Sequence, residues 1–275
     1  MYRLRHHVRI VTATSLFDGH DAAINIMRRI LQATGAEVIH LGHDRSVEEI
    51  VRAAVEEDVQ AVAVTSYQGG HLEFFTYLRE LLDARGAGHV RIFGGGGGTI
   101  LPEEVEELHR RGVTRIYTPD DGRHLGLQGM IDDLLSRCDF PLGEELDVDV
   151  AALVAGDAHA LGRFISAAEN APERHREVLA ALRRRAATCD ASVVGVTGTG
   201  GSGKSSLIDE IVLRFLRDFP SHRIAVVSVD PSRRRSGGAL LGDRIRMNAV
   251  FHPRAFMRSL ATRQANLALS PFVAD

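Results

Sequence analysis

Tryptophan is absent from the 275 residues, aromatic side chains make up 5% of them, and there are only two cysteines. Cys138 and Cys189 are too few and too far apart for a disulfide framework or a zinc site. A reduced, cytoplasmic setting is therefore expected. Long hydrophobic runs are missing as well. Nothing approaches the roughly 18 apolar residues of a membrane span. The apolar run behind the basic start, Val8–Ala13, is short and contains Thr12, so it reads as a strand and not as a signal peptide. Nor is there an excess of one charge. With 33 Lys and Arg against 36 Asp and Glu, the net charge is −3, and neither nucleic acid nor a membrane surface is an expected partner. What is present is an apolar fraction of 44%, sufficient for the cores of one large or two modest domains.

Along residues 1–138, short apolar runs alternate with helical patterns. The strands read as Val8–Ala13, Glu37–Leu41, Gln60–Thr65, Val90–Phe93 and Thr114–Tyr117. The helices read as Ala22–Thr34, Ser46–Glu56, His71–Ala84, Pro102–Arg111 and Arg123–Arg137. Ser46 with Glu49 forms a capping box, Gly35 stands where a left-handed residue ends a helix, and Pro102 opens another. Alternation of this kind predicts an α/β fold: a doubly wound, flavodoxin-like five-stranded parallel sheet of order 2-1-3-4-5. Residues 139–190 carry no strand pattern and read as a linker with two or three helices. From Ala191 a second alternating segment begins, with strands at Ser192–Thr197 and Arg223–Asp230 and helical-looking sequence towards Asp275. Residues 191–275 are thus expected to be a partial P-loop NTPase α/β domain, since only two strands are read where a whole nucleotide-binding domain needs more.

In a sheet of that order, ligands bind beyond the carboxyl ends of the strands, beside strand one. Three loops of unusual composition reach this edge: Phe17-Asp18-Gly19-His20-Asp21, Thr65-Ser66-Tyr67-Gln68-Gly69-Gly70-His71, and Gly94 to Gly98. A loop histidine is by itself more often solvated than ligating. Here a carboxylate two residues away, Asp18, can take the proton of one ring nitrogen and leave the other as a ligand. Asp21 reads as a helix N-terminal acid favoured by the dipole. The glycines Gly94, Gly95 and Gly96 imply close approach of a bulky group to backbone.

These elements resemble the cobalamin-binding domain of mutases and methyltransferases. Its D-x-H-x-x-G signature matches at Asp18, Gly19 and His20, with Ala23 in place of the last glycine. Thr65-Ser66-Tyr67 stands in for S-x-L, followed by Gly69 and Gly70, and Gly94 to Gly96 supply the Gly-rich element. The resemblance implies that His20 is the lower axial ligand of cobalt in place of the cofactor's own base. It implies that Asp18 supports His20 and that the displaced nucleotide tail threads a slot beside the sheet. A flavodoxin or receiver-domain reading of the same residues lacks the hydroxyl-rich phosphate loop and the paired acids those folds require.

The second segment carries Gly198-Thr199-Gly200-Gly201-Ser202-Gly203-Lys204-Ser205, a G-x-x-x-x-G-K-S phosphate loop, continued by Ser206. Backbone N–H groups and a helix N-terminus hold phosphates, Lys204 reaches the outer ones, and the Ser205 hydroxyl ligates Mg²⁺. Asp230 and Asp243, on either side of the basic loop with Arg233–Arg235, are the candidate acidic partners of that ion, with Arg246 as a further nucleotide contact. "VDPSRRRSGGALLGDRIRM" resembles the switch region of GTPase chaperones that load cobalamin mutases. No D-x-x-G, E-T-x-G or N-K-x-D element follows, so the GTPase domain is expected to be truncated. The order of segments resembles the fused isobutyryl-CoA mutase family. That resemblance implies adenosylcobalamin, GTP/GDP and Mg²⁺ as cofactors, an acyl-CoA-binding mutase barrel missing from this chain as partner, and a homodimer. A non-catalytic corrinoid carrier or sensor gated by nucleotide is the competing expectation.

Overall fold

The structure, a computed structural model, describes residues 1–264. Its centre is a parallel sheet of six strands in the order β5-β4-β3-β1-β2-β7. Five come from the first half: β1 (Arg9–Ser15), β2 (Glu37–Arg45), β3 (Ala61–Thr65), β4 (Arg91–Gly95) and β5 (Arg115–Tyr117). They have the expected 2-1-3-4-5 order. The sixth, β7 (Ala239–Leu241), comes from the second half and adds to the outer edge of β2, pairing with Glu37–Ile39.

Helices cover both faces, which is why the strands read as continuous apolar runs. Alternate strand residues Val11, Ile39, Val62 and Ile92 pack with α2 (Val47–Glu56), α3 (His71–Ala84) and α4 (Pro102–Arg110). Their neighbours Ile10, Val38, Ala61 and Phe93 meet α1 (Ala22–Thr34) and α5 (Pro119–Cys138) on the other face. Helix α5 starts earlier than its pattern suggests, because Thr118 caps it at Asp121, and it kinks at Gly126 (φ 65°, ψ 172°). The Ser46–Glu49 capping box and the left-handed Gly35 are both present.

Three helices follow: α6 (Val150–Ala155), α7 (Ala158–Asn170) and α8 (Arg176–Ala186). The phosphate loop leads into α9 (Lys204–Asp218), and β6 (Ile224–Asp230) pairs in parallel with β8 (Ala255–Ala261) in a second, two-stranded sheet. Two expectations fail here. Ser192–Thr197 forms no strand; Val193 and Val194 stay 93% and 81% exposed, because no neighbouring strand among the described residues pairs with them. The helical-looking end instead contains β8, fully buried and hydrogen-bonded to β6. The remaining residues of that reading, 265–275, lie outside the described ones.

A buried ionic layer joins the halves at the amino ends of β1 and β2. Glu57 accepts from Arg9 (2.6 Å), from Arg244 (2.8 Å) and from the Ser259 amide and hydroxyl. Burial alone would raise the Glu57 carboxyl, but Arg244 and Arg9 outweigh it and hold it below the usual carboxylate range. Glu37 is likewise lowered to about 2 against its burial, by Arg263 and Arg9. Arg258 meets Glu169 at 2.9 Å in the same layer.

Candidate cofactor and nucleotide sites

Strand β1 is buried along its whole length and is paired on both sides, so the loop that leaves it is firmly placed. The chain turns at Phe17, which adopts φ 63°, a left-handed conformation costly for an aromatic residue. The Asp44 carboxylate holds the Phe17 amide there at 2.6 Å. Next comes Asp18, its side chain 1% exposed, and then His20, its ring 78% exposed. One oxygen of Asp18 accepts from the His20 amide (2.9 Å) and from ring Nδ1 (2.8 Å); the other accepts from the Tyr67 amide. Burial opposes the charge on Asp18, but the amides of Tyr67 and His20 and the His20 ring keep its carboxyl below the ordinary range. A carboxylate that only accepts places the proton on Nδ1, so Nε2 carries the lone pair at the exposed end of the ring.

The Tyr67 ring lies 5.6 Å from the His20 ring. An open depression of about 460 Å³ is lined by Gly19, His20, Asp21, Ala22, Ala23 and Tyr67. A β-carbon at Gly19 or Gly69 would meet nothing within 4 Å. The site thus fits a bulky cofactor: a ligand nitrogen with a fixed tautomer faces open space. Asp21 is the N-cap residue of α1, but its carboxylate accepts from Asn25 and not from a backbone amide.

The wall after β4 corrects one expectation. The space argument fails for Gly94 and Gly96, which are glycine because protein already fills the position. A β-carbon on Gly94 would lie 2.6 Å from Phe75 and 2.7 Å from Ile116, and one on Gly96 1.9 Å from the Ser66 carbonyl oxygen. Gly95 meets the Tyr117 carbonyl at 3.2 Å and Gly70 its own neighbour Gln68. Only Gly98, at the tip of the loop, is open. Thr65 turns inward to the Thr14 hydroxyl (3.2 Å), and Ser66 accepts from Ser15 (3.0 Å), tying the loops after β1 and β3 together. The polar contacts of Ser15, Ser66 and Asp44 carry no sequence signal, since each depends on a partner distant in the chain.

At the second site, Gly201 and Gly203 take left-handed φ values of 79° and 85°, and Gly200, Gly201 and Gly203 have open surroundings. Lys204 opens α9 and turns back to the carbonyls of Gly198 and Thr199, at 2.8 Å each. Ser205 donates to Asp243 at 2.9 Å. Asp230, at the end of β6, is pushed up to about 6 by burial and then by the Asp243 carboxylate, and its Oδ2 is buried without a hydrogen-bond partner. Ser205, Asp230 and Asp243 therefore lie together, and a cation would relieve the repulsion between the two acids, so the site fits Mg²⁺. Among the described residues no group of three or more His, Cys, Asp or Glu could hold a metal ion, as expected where one protein ligand is a hydroxyl. Ser202 and Ser206 sit in the loop and first turn of α9; Arg246 is exposed but close enough to lower Asp230. Arg233–Arg235 are exposed.

Comparison with known proteins matches both halves. Residues 8–122 match the B12 binding domain, and residues 161–270 match the methylmalonyl Co-A mutase-associated GTPase MeaB. The fused isobutyryl-CoA mutase of Geobacillus kaustophilus is 57% identical over 100% of this chain and 26% of its own length. That of Cupriavidus metallidurans is 56% identical over 98% of this chain and 24% of its own length. The 2-hydroxyisobutanoyl-CoA mutase small subunit of Aquincola tertiaricarbonis is 33% identical over 41% of this chain and 82% of its own length. The chain spans about a quarter of the fused relatives. A cobalamin-binding fold leading into a MeaB-type GTPase segment, at such identity along its length, places this chain in the fused isobutyryl-CoA mutase family.

Proposed function

We propose that this chain is the adenosylcobalamin-holding and GTP-dependent cofactor-loading part of an acyl-CoA carbon-skeleton mutase that converts isobutyryl-CoA to n-butyryl-CoA. The observation that carries the reading is the His20 ring, its Nδ1 engaged by buried Asp18 and its Nε2 directed to open space. Bound adenosylcobalamin supplies radical chemistry by cobalt–carbon homolysis. The chain's residues hold and orient it: His20 as cobalt ligand, Asp18 as the acceptor that fixes its tautomer, and Gly19, Tyr67 and Gly69 as the surface beside the ring. Thr65, Gly70 and Gly94 to Gly96 act by letting the loops after β3 and β4 pack closely into the wall that backs the cofactor surface. In the second site, Gly198 to Ser206 cradle the phosphates of GTP, Lys204 leaving its loop carbonyls to meet them, and Ser205, Asp230 and Asp243 hold Mg²⁺. In this reading residues 1–138 and 191–275 are the two working parts, joined by 139–190. An acyl-CoA-binding barrel, in the same polypeptide or as a partner, completes the enzyme, which works in the cytoplasm as a homodimer.

Titration with adenosylcobalamin followed by absorbance tests this directly. The expected result is saturable binding with the spectrum of cobalamin whose own base is displaced, lost in His20→Ala. Binding with the base still attached to cobalt would defeat the assignment.

A further inference from the structure

Among the described residues, four other than glycine take left-handed backbone conformations, and two of them are bonded to each other. Phe17 (φ 63°) donates its amide to the carboxylate of Asp44 (φ 58°) at 2.6 Å. They stand at the carboxyl ends of neighbouring strands: Phe17 follows β1, and Asp44 lies near the end of β2. A residue with a side chain persists in that conformation only where its surroundings hold it. Asp18 follows Phe17 directly and fixes His20, so this bond sets where the histidine loop begins. The ladder between β1 and β2 is irregular at the same place. Regular pairing runs as far as Thr12 with His40, then slips twice, giving Ala13 with Gly42 and Ser15 with Arg45. Such slips disrupt the ladder locally, so the end of β2 depends on what packs against it.

What packs there belongs to the nucleotide half. Gly42 is itself left-handed (φ 85°), and a β-carbon on it would lie 2.8 Å from Ile245 Cδ1. On the other side of Asp44, the Arg45 guanidinium stands 5.9 Å from the centre of the Phe251 ring. Ile245 sits in the short turn Asp243–Arg246, two residues after the candidate Mg²⁺ ligand that accepts from Ser205 at 2.9 Å. Ahead of that turn, Leu241 of β7 pairs with Ile39 of β2. Asp243 and Asp230 repel each other without a cation and are drawn together by one, so occupancy of the nucleotide site acts on Asp243 first. We infer that the end of β2, Gly42 to Asp44, is a latch that carries the position of the Asp243–Arg246 turn to the His20 loop and so couples the two sites. The inference rests on the function proposed above for the identity of the two ligands, though not for the packing route. With Ile245 seated on Gly42, Asp44 keeps its left-handed turn and Phe17 its hydrogen bond. With the turn displaced, both residues relax to ordinary conformations and the histidine loop loses its fixed start. By linkage, cobalamin acts back on nucleotide affinity by the same factor.

Two measurements on the whole chain test this. The first is amide hydrogen exchange without cobalamin, before and after addition of Mg²⁺ and a non-hydrolysable GTP analogue. Protection should change by about fivefold at Phe17 and over residues 42–45. Protection gained at the phosphate loop with none altered at Phe17 or 42–45 overturns the latch, whether or not cobalamin binds. A phosphate loop that gains no protection sinks the nucleotide reading and the latch with it. The second measurement is adenosylcobalamin affinity by absorbance titration, with and without Mg²⁺ and the analogue, in wild type and in Ile245→Ala. The expected result is a shift of about fivefold in wild type and of less than about twofold in the variant, while each ligand alone binds both proteins alike. No shift in wild type, or an equal shift in the variant, overturns the route. Wild type that binds no cobalamin sinks the cofactor reading, and the exchange result then decides the latch by itself. Should circular dichroism show Ile245→Ala unfolded, Asp44→Ala takes its place, with the same loss of coupling expected.

Discussion

The chain builds the same device twice, a functional loop between an apolar run and a helix, and the two copies differ in what stands behind them. Behind Asp18 and His20 lies β1, every residue buried and paired to β2 and β3. Behind Gly198–Ser205 lies an apolar run with no strand partner among the described residues, exposed to solvent. The first loop can hold a left-handed Phe17 and a buried Asp18, because the sheet fixes where both begin. In the second loop Lys204 rests on its own loop carbonyls. A motif therefore states which chemistry is available, whereas the pairing of the strand before it determines how well that chemistry is positioned.

The ionic layer around Glu57 joins the two regions, and removing it is expected to have the largest effect. Glu57→Ala leaves Arg9 and Arg244 without their shared buried carboxylate, and breaking such a pair costs about 3–5 kcal/mol. Denaturant unfolding should show that loss; a change below about 1 kcal/mol would mean that the halves do not depend on this contact. Because Glu37 and Glu57 are held below their ordinary values, their stabilisation is present above the unfolded carboxylate range. It is lost as pH falls through their folded values, about 2 for Glu37. The layer therefore survives mild acid.

The next test compares the two apolar runs. Val11→Ala in β1 should cost about 2 kcal/mol, since it opens space in a packed core. Val194→Ala should stay within about 0.5 kcal/mol. Hydrogen exchange should show Arg9–Ser15 protected and residues 192–197 open. Equal protection would erase the contrast.

A smaller effect is expected at Asp230. Its folded value near 6 exceeds the usual carboxylate value, so folding favours the protonated acid, and the ionised form costs stability as pH rises through 6. Asp230→Asn should raise the melting temperature of the metal-free protein at pH 8, by roughly 1–2 kcal/mol of stability. Below the unfolded carboxylate value, at about pH 3.5, it should have little effect. The same substitution should weaken Mg²⁺-dependent GTP binding. A variant no more stable than wild type at pH 8 would show that the two acids are not in conflict.

Much of the first region is legible in the sequence because its cues are local. Strands buried on both faces read as apolar runs, caps read as Ser46–Glu49 and Gly35, and Asp18 with His20 lie two residues apart. The unread parts depend on distant partners. Phe75, Ile116 and the Ser66 carbonyl explain Gly94 and Gly96, and none adjoins them in the chain. β8 was hidden for a related reason. Its Ala, Met, Leu and Arg residues favour helix and it has no β-branched side chain, yet pairing with β6 and complete burial make it a strand. β7 is three residues long and gains its place only from the edge of β2. The phosphate loop shows the converse. Its motif is unmistakable, but the strand expected before it requires a neighbour that no local pattern guarantees.

Cobalamin binding by this chain turns on one nitrogen, His20 Nε2. Electron paramagnetic resonance of cob(II)alamin bound to uniformly ¹⁵N-labelled protein reads the lower axial ligand. The prediction is superhyperfine splitting into the two lines of a protein-derived ¹⁵N, absent in His20→Ala. Three lines from ¹⁴N would show that the cofactor keeps its own base and that His20 is not the cobalt ligand.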